Sequence, residues 1–219
     1  MKSNRIYIYT AASILSAFVI WTLAVSLIDV QAIGPNGTSI GFATLNGYFH
    51  HLTGVNMLLY TLTDWLSLIP FLFIAVFATV GLIQLLRRKS FLKVDYSILI
   101  LGGFYLVVMA AFVIFEIFVV NHRPILIDGV LEASYPSSTT VLITTVMPTA
   151  AIELNRRIKS TSIRATVISL ITLFSIFMVV ARLICGVHWL SDIIGGVLLS
   201  SALVMFYCYF CLIIKPSAE

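Results

Sequence analysis

Six long apolar runs, a charged content of only 10% and a strongly positive mean hydropathy predict an all-α integral membrane protein, a six-helix bundle. Soluble domains carry about 25% charged residues. A helix needs about 20 mostly apolar residues to cross the hydrocarbon core, where backbone amides find no water and have to bond within their own segment. The six runs cover residues 6–30, 65–86, 95–120, 138–154, 165–184 and 189–214, and together they read as one transmembrane domain over residues 1–219.

The first run follows Lys2 and Arg5, as a signal peptide would, but continues to Leu27. That is longer than the usual apolar region of about 7 to 15 residues, so a retained span is expected. Between the first and second runs lies an outer loop, 31–64, rich in Gly, Pro and Asn at its start and amphipathic enough later for a short interfacial helix. His50 and His51 in it are read as interfacial rather than catalytic. The second and third runs are uninterrupted. The fourth, SSTTVLITTVMPTAAIEL, is short, rich in Ser and Thr, and holds Pro148, which is expected to kink or break a helix unless neighbours shelter it. The fifth and sixth flank the segment ARLICGVHWLSD. Cys185, Cys208 and Cys211 have no metal-binding spacing with histidines and are expected to pack between helices; neither a metal nor another cofactor is expected.

The formal charge of +4 does not point to nucleic acid, because the cations sit in short clusters between apolar runs. With six spans the termini share a side, and Lys2, Arg5, Arg87, Arg88, Lys89, Lys93, Arg156, Arg157, Lys159, Arg164 and Lys215 all fall there: eleven of the thirteen cations. The positive-inside rule makes that side cytoplasmic. Arg123 and Arg182 fall on the opposite face, where orientation does not explain them.

Three polar clusters meet at that outer face: NHRP at 121–124, YPSSTT at 135–140 and ARLICGVHWLSD at 181–192. Ionisable groups at membrane depth are costly and point to function. Ser137, Ser138, Thr139 and Thr140 read as a helix start with hydroxyls able to cap free amides, and such a start binds anions. With the guanidinium groups of Arg123 and Arg182 it forms a phosphate site. His188 and Asp192, four residues apart, share a helical face, so the carboxylate can fix one imidazole nitrogen and leave the other free as nucleophile.

These residues resemble the signature of the type 2 phosphatidic acid phosphatase superfamily, which runs Lys, six residues, Arg-Pro; then Pro-Ser-Gly-His; then Ser-Arg, five residues, His, three residues, Asp. The third element is present here as Arg182, LICGV, His188, WLS and Asp192, the first keeps Arg123 and Pro124, and the second keeps Pro136 and Ser137. The resemblance implies a metal-independent membrane lipid phosphatase or diphosphatase acting on phosphatidic acid, phosphatidylglycerol phosphate or a polyprenyl diphosphate. It also implies His188 as the nucleophile forming a phosphohistidine and Asp192 as its orienting acid. Arg123, Arg182 and the backbone around Ser137, Ser138 and Thr139 would hold the phosphoryl oxygens. Four positions depart from the signature: Glu116 stands for the lysine, Ser138 for the glycine, Thr139 for the histidine and Ala181 for the serine. Threonine is no acid near neutral pH, so Thr139 favours a diphosphate, whose leaving group departs with little protonation; His122 is the alternative acid. Glu116, seven residues before Arg123, is expected to share a helical face with it, either opposing phosphate or forming a buried ion pair. A catalytically weak member that binds phosphorylated headgroups is the competing reading.

Overall fold

In the computed structural model, which describes residues 2–214, eight α-helices follow one another: α1 (Lys2–Leu27), α2 (Ala43–Thr53), α3 (Met57–Leu66), α4 (Leu68–Arg88), α5 (Tyr96–Ile117), α6 (Ser138–Arg157), α7 (Thr161–Ile184) and α8 (Leu190–Ile213). Among the described residues no strand forms; three isolated antiparallel bridges are present. Five stretches are long and apolar enough to cross a membrane: Arg5–Leu27, Met57–Arg88, Tyr96–Ile117, Thr161–Ile184 and Leu190–Ile213. The expected count of six membrane-crossing helices is therefore not confirmed by apolar character, because α6 is too polar to qualify.

Position explains that polarity. Helix α6 packs against α4, α5, α7 and α8, and Thr139, Thr140, Thr145, Thr149 and Glu153 are all buried in it. A helix surrounded by protein does not face lipid, so hydroxyls become contacts between helices. Thr144 donates to Ser200 of α8 at 2.6 Å, and Tyr105 of α5 meets Thr149 at 3.2 Å. Such bonds contribute about 0.6 kcal/mol each on average in membrane proteins. Pro148 neither breaks nor ends α6. Hydroxyls of Thr145 and Thr149 bond the carbonyls of Val141 and Thr145 at 2.7 and 2.8 Å, so this part of the helix is rich in local acceptors and donors.

The second span also differs from expectation. Residues 57–64, read as loop, form most of α3, and only Ser67 separates α3 from α4, so an apolar stretch runs from Met57 to Arg88. The outer loop thus contributes two helices, α2 and α3, not one. Buried Asn46 of α2 ties the loop to the start of α8: its amide donates to Ser191 Oγ at 2.9 Å and its carbonyl accepts from Ser191 N–H at 3.1 Å. Gly186 makes the other joint. It holds a left-handed φ of +69°, and a Cβ there would lie 1.8 Å from the Gly54 carbonyl. Only glycine fits both conditions.

The cation clusters gather at one end of the bundle, where Asp95 pairs with Arg88 at 3.2 Å and with Arg157 at 3.5 Å. Beside them the fully buried Glu153 accepts from Tyr207 at 2.8 Å and Ser97 at 3.1 Å and pairs with Arg156 and Arg157. Lys215 lies outside the described residues. Arg123, Arg182 and His188 occupy the opposite end.

Candidate active site

Helix α5 ends at Ile117, and the chain then runs extended through Asn121 and Arg123, turns at Asp128 and Gly129, and returns through Glu132 to Ser134. Backbone bonds from Arg123 to Glu132 at 3.1 Å and from Ser134 to Asn121 at 2.9 Å close this hairpin. Alternation along the extended arm buries Asn121 and Arg123 on one side and leaves His122 half-buried between them. His122 therefore does not share the face of Arg123 as the alternative acid would require, and only its carbonyl is engaged, accepting from Trp189 Nε1 at 2.7 Å.

The starts of α6 and α8 lie side by side. Ser137 N–H donates to the Asp192 carbonyl at 3.1 Å, and Gly195 makes room for Tyr135, whose ring would meet a Cβ there at 2.6 Å. Ser137 does not cap α6 with its side chain, contrary to expectation; its Oγ accepts from Thr140 Oγ1 at 3.0 Å. The hydroxyls bond each other, and the first amides of α6 keep their free N–H groups for an anion.

His188 and Asp192 come together, but by a different route from shared helical register. His188 precedes the helix, since Trp189 is the N-cap of α8. Its Nδ1 lies 3.8 Å from Asp192 Oδ2, beyond hydrogen-bond distance. Ser134 fills the gap: its hydroxyl is 3.3 Å from His188 Nδ1 and donates to Asp192 Oδ2. Asp192 also accepts from Trp189 N–H at 2.9 Å, from Asn121 at 3.3 Å and from Ser191 Oγ at 3.4 Å. The carboxylate is thus fixed by four neighbours, and the imidazole by one hydroxyl. His188 Nε2 is buried without a hydrogen-bond partner.

Burial pushes the His188 imidazole well below its ordinary pKa of 6.5, and the positive charges of Arg123 and Arg182 push it further. The ring is therefore neutral near pH 7, with Nε2 available as an electron-pair donor. Arg182 is only 1% exposed; it donates to Thr63 at 3.3 Å and stacks over Tyr60 at 5.0 Å, leaving Nε without a partner. Arg123, 8% exposed, pairs through Nε with Glu132 Oε2 at 2.9 Å while Nη1 has no partner. Two buried guanidinium groups with unused donors and a free imidazole nitrogen are chemically suited to a tetrahedral oxyanion.

A cavity of about 420 Å³ opens beside Arg123 and Ser134, lined also by Phe112, Phe115, Glu116 and Glu132; His188 and Arg182 are not among its lining residues. Glu116 is exposed, and no ion pair to Arg123 or Arg182 forms. The helical-face expectation for Glu116 fails because α5 stops before Arg123, although both residues still line one cavity. Thr139 instead lines an adjoining apolar cavity of about 320 Å³ with Asp64, Phe71 and Tyr105; Phe112 and Ser138 border both. His50 packs against Trp189 in a tilted arrangement with ring centroids 5.5 Å apart, whereas His51 is exposed. Asn121 belongs to the NHRP cluster, and Ser134 directly precedes the YPSSTT cluster without being part of it, whereas nothing in the chain marks Thr63 or Glu132.

Known proteins resemble this chain in family and in fold. Residues 112–213 match the family model of the PAP2 superfamily, the family whose signature the three motifs resemble. No curated protein matches the chain. Among solved structures, a transmembrane PAP2 type phosphatidylglycerolphosphate phosphatase from Bacillus subtilis shares the fold, with a TM-score of 0.64 and 17% sequence identity over 96% of this chain and 100% of that one.

Proposed function

With the PAP2 superfamily assignment as premise, we propose that the chain is a multi-pass membrane lipid phosphatase that works through a phosphohistidine on His188. The observation that carries this reading is the buried, unpartnered Nε2 of a neutral imidazole next to two guanidinium groups with free donors. A phosphoryl group fits between Arg123 Nη1, Arg182 Nε and the first amides of α6. Nε2 attacks phosphorus, the ester or anhydride bond breaks with its electron pair going to the leaving oxygen, and the imidazole becomes cationic. Asp192 stabilises that charge, with Ser134 relaying the contact. Water then hydrolyses the N–P bond and releases inorganic phosphate. Donors fixed in advance around developing charge supply the largest part of such catalysis, and no step uses a metal.

Thr139 cannot protonate the leaving oxygen, and loss of a general acid costs about 10² to 10⁴ in rate for a poor leaving group. Leaving groups that depart without that help are therefore favoured, the diphosphate of a polyprenol before a simple phosphate monoester. The bundle end that holds the site faces away from the cytoplasm, because the cation clusters occupy the other end.

The Arg123–Glu132 pair favours a second reading, a headgroup-binding protein with little turnover, since one phosphate donor is engaged by a carboxylate. Phosphate release from phosphatidic acid, phosphatidylglycerol phosphate and a polyprenyl diphosphate, measured with and without a chelator, separates the two. The phosphatase reading expects chelator-insensitive release, abolished in His188→Ala. Binding without release from any of the three supports the second reading.

A further inference from the structure

The two arginines of the site are held in different ways. Arg123 gives Nε to the Glu132 carboxylate at 2.9 Å, whereas among the described residues no carboxylate pairs with Arg182. A buried guanidinium on a flexible stem keeps one orientation only if something fixes its tip. Helix α3 does this. Its Thr63 Oγ1 accepts from Arg182 Nη1 at 3.3 Å, and the Arg182 guanidinium carbon lies 5.0 Å from the centre of the Tyr60 ring. Three residues apart, Tyr60 and Thr63 share one face of α3, and α3 packs on α7, the helix that carries Arg182. The Thr63 hydroxyl spends its proton within α3, on the carbonyls of Leu59 and Tyr60 at 2.9 Å each, so its oxygen is left to accept. The helix is itself pinned to the end of α7. Asn56 N–H donates to the Cys185 carbonyl at 3.0 Å, and the Asn56 side chain caps α3 through Leu59 N–H at 2.9 Å.

These partners differ chemically from a carboxylate. A carboxylate would neutralise Arg182 and occupy its N–H groups in competition with a phosphoryl oxygen. A ring face attracts the cation through its quadrupole and sets no lone pair against those groups. Arg182 Nε is left buried and without a partner. We propose that Tyr60 and Thr63 are positioning residues that set the Arg182 guanidinium for the phosphoryl group, so that α3 completes the phosphate clamp. This rests on the phosphatase reading and deepens it with two residues that lie outside the 112–213 family match. The ring and not the hydroxyl of Tyr60 holds the arginine, so no acid is added and the leaving-group preference set by Thr139 stands.

The test compares Tyr60→Leu, Tyr60→Phe, Thr63→Val and Thr63→Ser in the full-length protein in mixed micelles, with an aryl phosphate as substrate and orthovanadate as competing anion. An inhibition constant does not depend on how much of the protein is folded, so a merely structural role leaves it unchanged. Tyr60→Leu is expected to lower kcat/KM and raise the orthovanadate Ki by about 5- to 30-fold, and Thr63→Val by about tenfold. Tyr60→Phe and Thr63→Ser keep the ring and the hydroxyl and are expected to stay close to the parent protein. Tyr60 is half-buried, so its variants remain informative where Thr63→Val fails to fold. An orthovanadate Ki unchanged in Tyr60→Leu, whatever its melting temperature, overturns the positioning role and leaves the phosphatase reading standing. A loss in Tyr60→Phe equal to that in Tyr60→Leu overturns it too. If the parent protein releases phosphate from no substrate, the phosphatase reading falls. The Kd for inorganic phosphate, taken from its effect on the melting temperature, then decides the positioning role on the same four variants.

Discussion

Ser134→Ala isolates the relay between His188 and Asp192. In the folded protein the Ser134 hydroxyl stands 3.3 Å from His188 Nδ1 and donates to Asp192, while the direct distance from imidazole to carboxylate is 3.8 Å. Asp192 retains Trp189, Asn121 and Ser191 after the substitution, so the carboxylate stays in place and the imidazole alone loses its anchor. A hydrogen bond to a charged group contributes about 1.5–3 kcal/mol. If it is made fully in the attack step, its loss lowers kcat/KM by about 10- to 160-fold. An aryl phosphate with a nitrophenolate leaving group is the appropriate substrate, because it needs no proton on departure and reports on attack alone. Ser134→Thr restores the hydroxyl and should recover most of the rate. Full activity in Ser134→Ala at an unchanged melting temperature would refute the relay. A loss as complete as that of His188→Ala would show that Ser134 does more than position the ring.

Four further outcomes are expected. The folded His188 pKa lies below its unfolded value of 6.5, so the imidazole stays neutral and the acid limb of kcat/KM for the aryl phosphate falls below pH 6.5; a limb at or above 6.5 contradicts the buried, neutral nucleophile. The same displacement makes stability decline as pH falls from about 6.5 towards the folded value, by up to about 1.4 kcal/mol per pH unit, and chemical denaturation of His188→Gln should show a shallower slope. Gly186→Ala forces a Cβ to within 1.8 Å of the Gly54 carbonyl at a φ of +69°, which should destabilise the protein by about 2 kcal/mol or more; an unchanged melting temperature would mean the α2–α3 link does not rest on residue 186. Glu153→Ala strips Tyr207, Ser97, Arg156 and Arg157 of their common partner. Because the arginines are partly exposed, the cost is discounted to about 2–4 kcal/mol, read as a lower melting temperature in detergent with the aryl phosphate KM unchanged.

Much of this molecule was legible in its sequence because membranes impose simple rules. Apolar runs placed α1, α5, α7 and α8 within a few residues, and the motif spacings brought Arg123, Arg182, His188 and Asp192 to one end of the bundle. The misreadings have local causes. The outer loop reads as holding one short interfacial helix where two form, because the apolar residues of α3 adjoin a Gly- and Asn-rich segment. The Ser- and Thr-rich run from 138 does form a helix, α6, sheltered among four others, and its hydroxyls fit it to that place. Counting residues from Glu116 to Arg123 along a helix failed because α5 stops at Ile117 and the chain turns extended. Ser134 carries no sequence signal because a serine between an imidazole and a carboxylate depends on a hairpin, and no periodicity encodes which residue the returning arm presents.

The central claim is that His188 Nε2 carries the phosphoryl group. Rapid acid-free quenching during turnover, followed by peptide mass spectrometry, tests it directly. The account predicts an acid-labile phosphate on His188 that is absent in His188→Ala and accumulates when hydrolysis of the intermediate is slowed. Phosphate release at undiminished rate in His188→Ala, or turnover with the phosphoryl group on another residue, would contradict it.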